Sequence, residues 1–149
     1  MSPAQLALRT LRTTHALFLV SIVLYALVGE GAMRHPANYR GGRTLLVAMA
    51  VVAVGTAGAA SVLRGRIVAP AAAALHRDPR DAASLRRWQT GTLSALALTE
   101  VVALCGLALR GAGASLEQAL PFYLAGMVLM MAWRPRLDLP PDSPGPGPA

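Results

Sequence analysis

One residue in this sequence could do chemistry where chemistry is expensive. Glu100 stands in TGTLSALALTEVVALCGLAL, residues 90–109, an apolar run with no other charge. It is about ten residues from either end, so at ~1.5 Å rise per residue it lies roughly 15 Å from either face of a bilayer. A glutamate cannot snorkel that far, and an ionised acid at a helix centre costs several kcal/mol. Glu100 should therefore be neutral, face protein rather than lipid, or have a cationic partner. Two uses fit those constraints. It can bind and release a proton or small cation, or it can stay protonated and donate a hydrogen bond that fixes helix packing. Ser94, Thr99, Ser21 and His15 are candidate partners.

The other reactive side chains carry less. His15 opens the first apolar run and could ligate haem or metal, but His35 and His76 fall in polar segments, so no second axial ligand sits at a matching depth. It is expected to be an interfacial histidine. Cys105 is the sole cysteine, which excludes an internal disulfide or a CxxC metal site. Glu30 is expected to be a solvated boundary residue, and Tyr25 and Tyr123 to be interfacial or packing residues. The sequence holds no Walker loop, GxSxG, HExxH or paired carboxylates in one helix, so no enzyme is expected.

The elements that would position Glu100 are membrane spans. Hydrophobic residues make up 54% and charged residues 14% of the 149, with mean hydropathy +0.48. Soluble domains carry about 25% charged residues, so the composition favours a membrane protein. Apolar runs predict an all-α, integral membrane four-helix bundle with spans at about 14–29, 44–64, 89–109 and 116–133. The first run could also be a signal peptide, but it lacks a good cleavage site, and a retained span is expected. Gly55, Gly58 and Ala59 give the second span a small-residue stripe suited to close helix packing, expected within the chain. Pro70 should kink or interrupt the connection from Arg64 to Trp88, and Asp81 is a plausible cap for the helix after it. The fourth span is marginal in length, with Pro121 near its start. Residues 1–133 read as one transmembrane domain and 134–149, with six of the eleven prolines, as a disordered tail.

All fourteen basic residues are arginine, giving a net charge of +7. Ten of them flank the N-terminus, the Arg64–Trp88 connection and the C-terminus, which predicts cytoplasmic termini. Trp88 and Trp133 then fall at the cytoplasmic boundary as interface anchors. The arginines sit between apolar runs and are not interleaved with aromatics, so they point to lipid headgroups rather than nucleic acid.

Residues 44–109 resemble the c subunit of rotary ATP synthases and the related V-type proteolipids. The small-residue helix carries Gly55 and Gly58, the loop signature looks like Arg77-Asp78-Pro79, and the mid-membrane acid is Glu100, followed by Cys105-Gly106-Leu107-Ala108. The chain departs from that pattern: the repeated GxGxG is absent, the loop is longer, Pro70 interrupts the first helix, and a span is added at each end. The whole chain also looks like a group of four-helix bacterial membrane proteins with a basic-Trp start and a central glutamate in the third helix (Arg87, Trp88, Glu100) and a Pro-Arg stretch after the fourth (Arg134-Pro135-Arg136). These resemblances imply a bacterial inner membrane location and a protein that binds, and translocates, H+ or Na+ at Glu100 without an organic cofactor, among other membrane subunits or copies of itself. The alternative they leave open is a non-catalytic accessory or assembly subunit of a membrane complex.

Overall fold

A computed structural model of the chain describes residues 3–32 and 42–137. These residues are helical apart from short turns and the last segment, with no strand among them. Helix α1 covers Pro3–Ala32 and α2 covers Gly42–Leu63; a π-helical turn, Arg64–Val68, leads directly into α3, Ala69–Arg77. Helix α4 covers Ala82–Gly111 and α5 covers Leu116–Ala132. The all-helical, four-rod architecture expected from the sequence is present. Three rods, Pro3–Gly31, Gly42–Arg77 and Ala82–Gly111, are long and apolar enough to cross a membrane, and α5 is a shorter apolar helix.

The Arg64–Trp88 connection differs from expectation. Pro70 does not break it. Proline lacks an N–H and crowds the carbonyl four residues back, and the turn before it widens to accommodate this: Ala69 N–H donates to Arg64 O, five residues back. Helix therefore runs from residue 42 to residue 77, and the true turn is only Asp78–Asp81. There the Asp81 side chain caps α4 by accepting from Ala83 N at 2.9 Å, as expected. At the opposite end, Ser115 and Gln118 form a reciprocal capping box at the start of α5. Gly113 enters that turn with φ of 90°, a conformation that favours glycine. Pro121 sits inside α5 without ending it.

Helix α4 is the axis of the bundle. It packs against α1, α2, α3 and α5, whereas α1 and α2 share no packed interface. Close approaches to α4 are made at glycines. A Cβ on Gly106 would lie 3.0 Å from Ala119 O, and one on Gly126 would lie 3.0 Å from Ala103 Cβ. Gly91 faces Ile67 and Val68 of the π-helical turn in the same way. The predicted stripe is elsewhere. Gly55, Gly58 and Ala59 are exposed, and a Cβ on either glycine meets nothing within 4 Å, so these residues do not pack within the chain. Helix α2 uses Ala53 and Ala60, on another face, against α4.

Two further expectations are corrected at the end of the bundle where α1 starts and α5 finishes. Trp88 is 1% exposed and packs among Ala4, Ala7, Leu11, Val68, Ala71 and Leu75. It is a core residue, because α1 and α3 continue alongside it. Trp133 is half-buried beneath Arg64. The tail does not begin at residue 134, since Pro135 and Leu137 are buried and Leu137 joins the Trp88 cluster. The disorder expected of the remainder falls on residues 138–149, outside the described residues.

Candidate functional site

Glu100 is held by α1. Its Oε1 lies 2.5 Å from Ser21 Oγ and 2.6 Å from Tyr25 Oη. Ser21 and Tyr25 are four residues apart on one helix face, so both hydroxyls reach one carboxyl oxygen from successive turns. Of the four partners the sequence suggested, Ser21 is the one used, and Tyr25 was missed. Thr99 turns its hydroxyl back onto Ala95 O, and His15 is occupied elsewhere.

The proton count at this cluster is informative. Ser21 Oγ also lies 2.8 Å from Phe18 O, and it has one hydrogen for two neighbours. With Glu100 neutral, the acid can donate to Ser21 Oγ while Ser21 donates to the Phe18 carbonyl. With Glu100 ionised, Ser21 turns its proton to Oε1, and Tyr25 supplies a second O–H···O⁻ bond, for which 2.5–2.7 Å is the usual range. The same heavy-atom geometry serves both protonation states.

The carboxyl is half-buried. On α4 it borders an exposed strip formed by Leu93, Ala97, Leu104 and Ala108, which lies between the α1-facing and α2-facing sides. Among the described residues no arginine is paired with Glu100. The loop signature Arg77-Asp78-Pro79 is at the tip of the α3–α4 hairpin, remote from the acid along the helix. The hairpin of residues 44–109 thus supplies the acid but not its hydrogen-bond partners, which come from α1.

Two polar contacts tie α1 at either end. His15, 6% exposed, places Nε2 at 2.9 Å from Met130 O. A carbonyl only accepts, so Nε2 carries the proton, and the imidazole satisfies a carbonyl in the last turn of α5. At the far end, Arg110 pairs with Glu30 at 3.0 Å and reaches Ala114 O. Glu30 is therefore not simply solvated. The clue in the sequence was two opposite charges at the ends of two spans that finish on the same side. Gly29 allows this approach, since a Cβ there would lie 3.0 Å from Tyr123 Oη. Among the described residues no group of three or more His, Cys, Asp or Glu could hold a metal ion.

No known protein family, curated protein or solved structure shows significant similarity to the chain.

Proposed function

We propose that this chain is a multi-pass membrane protein in which Glu100 is a reversibly protonated carboxyl, working as a c-subunit-like proton carrier with other membrane subunits or copies of itself. The observation that carries the proposal is the Ser21–Tyr25–Glu100 cluster, which accepts either charge state by turning one hydroxyl. The edge position beside the exposed strip of α4 gives a partner access to the carboxyl. Ionisation in the membrane needs a positive charge nearby, and in this proposal the partner brings it. The arginine asymmetry supports a bacterial inner membrane location with both termini cytoplasmic.

Dicyclohexylcarbodiimide, which modifies protonated carboxyls in apolar surroundings, tests this directly. Glu100 should be modified at neutral pH and progressively less as pH rises, with exposed Glu117 as the comparator. Protection by sodium would reassign the ion to Na+. A Glu100 that never reacts while Glu117 does would overturn the carrier.

The outward face of α2 favours a second function, that of an accessory or assembly subunit. Gly55 and Gly58 have open space around them, beside exposed Val51, Val54 and Val62. A partner helix could approach closely there, and Glu100 would then serve only to hold α1 to α4. Disulfide cross-linking from a Gly58→Cys variant, with and without co-purifying subunits, separates a homo-oligomer from a hetero-complex.

A further inference from the structure

We infer that the end of the bundle bearing both termini contains a built site for a phosphate-bearing anion, in the cavity between Arg64, Thr92, Arg134 and Arg136. The cavity has a volume of about 160 Å³ and is walled by Val68, Trp88 and Pro135. That is the space of roughly five waters, enough for one phosphate group with little solvent.

Three observations converge on an anion. First, Thr92 is 1% exposed, lines this cavity, and its hydroxyl has no hydrogen-bond partner. Threonines on helices commonly return the hydroxyl to a carbonyl one turn back, as Thr10, Thr13, Thr56 and Thr99 do here. Thr92 does not, and an unsatisfied buried hydroxyl costs about 1–3 kcal/mol unless something completes it. Second, three arginines line the same small space, Arg64 half-buried and Arg134 and Arg136 exposed at its rim, and among the described residues no carboxylate is paired with any of them. Low-dielectric walls intensify the field of such a cluster. Third, Arg64 is already positioned. It stands 5.3 Å from the Trp133 ring centroid and reaches Trp133 O at 3.4 Å. Ring and carbonyl hold the group while its remaining N–H donors are available for a ligand. Planar guanidinium forks match phosphate oxygens in pairs.

The cavity lies where the apolar runs of α2, α4 and α5 end, at Leu63, Thr90 and Trp133. A lipid headgroup would meet it at that depth, since basic pockets between helices on the cytoplasmic side take anionic headgroups. Free phosphate could enter from the aqueous side.

The test uses the whole protein in neutral detergent, titrated separately with phosphatidylglycerol, phosphatidylcholine and sodium phosphate at matched ionic strength. Retention of lipid is read by native mass spectrometry and stabilisation by the unfolding temperature. Thr92→Val keeps the side-chain shape and removes an unpartnered hydroxyl, so without ligand it should be as stable as the parent or more so. With phosphatidylglycerol it should bind about ten-fold more weakly, as should Arg134→Gln and Arg136→Gln. Arg86→Gln removes an exposed arginine at the same end and should leave retention unchanged. Stabilisation by phosphatidylglycerol alone assigns a headgroup. Stabilisation by sodium phosphate that Thr92→Val abolishes assigns free phosphate. Equal retention of the two lipids without any phosphate response, or binding that none of the three substitutions weakens, overturns the site.

Discussion

Glu100 explains why two hydroxyls stand on one face of α1. Ser21 and Tyr25 are costly in lipid unless partnered, and Glu100 serves both. Glu100→Gln keeps an oxygen acceptor and should fold with a stability change within about 1 kcal/mol, whereas Glu100→Leu strands the Tyr25 hydroxyl, Ser21 still having Phe18 O, and should cost about 1–3 kcal/mol. Thermal unfolding in detergent checks the pair. Tyr25→Phe removes one of the two hydroxyls on the carboxyl oxygen and leaves Ser21 alone there, and should cost about 0.5–1.5 kcal/mol in the same unfolding measurement. Glu100 was legible in the sequence because depth alone makes an acid exceptional. Tyr25 was not, because a tyrosine in an apolar run is ordinary until the four-residue step from Ser21 is set against the acid. Trp88 misled for a related reason: its face depends on whether α1 continues beside it.

Among the elements, small residues mean different things on different faces. Gly106 and Gly126 are where α4 and α5 touch, and Gly106 approaches a backbone oxygen that cannot swing aside. Gly106→Ala should therefore destabilise the bundle by about 1–3 kcal/mol through overpacking. Gly55→Ala and Gly58→Ala meet nothing and should be neutral or stabilising, by up to ~1 kcal/mol of helix propensity. Unfolding of the three variants under one condition decides this; if either α2 variant instead loses an oligomer, the bare face of α2 is an interface. The sequence showed both sets as glycines in apolar runs and could not rank them, because helical phase against neighbours is a tertiary fact. The turns were more legible. Asp81 was read as a cap from its place before an apolar helix. Hydrogen bonds from Ser84, then from Ala83, hold its carboxyl below the ordinary value of 3.8. With the folded value depressed, the cap contributes fully above that ordinary value and is lost as pH falls through the lower folded one. The stability difference between the parent and Asp81→Asn should accordingly shrink on acidification below about pH 4.

For the molecule as a whole, the alternation of rods brings the start of α1 and the end of α5 to one end of the bundle, together with the α3–α4 turn. That end collects Arg9, Arg12, Arg64, Arg66, Arg77, Arg80, Arg86, Arg87, Arg134 and Arg136. At ~1.5 Å per residue the 36-residue rod from Gly42 to Arg77 is roughly 54 Å long, against the ~30 Å of a bilayer's hydrocarbon core. At this end a separate small core forms around Trp88 and Leu75. Seven of these arginines stand on helices or on the π-helical turn, and Arg80, Arg134 and Arg136 lie in the segments that join or follow them. Translocating that end would mean moving a folded, strongly cationic cap, and the positive-inside bias should therefore be firm. A green fluorescent protein fused after Ala149 should fluoresce in the bacterial cytoplasm, and alkaline phosphatase fused there should be inactive. Replacing only Arg134 and Arg136 with glutamine should leave that orientation intact, because eight arginines remain on the same end, while the anion cavity between α2, α4 and residues 134–136 should empty. A fusion that reports the opposite side would put Glu30 and Arg110 in the cytoplasm and overturn the orientation drawn from the arginines.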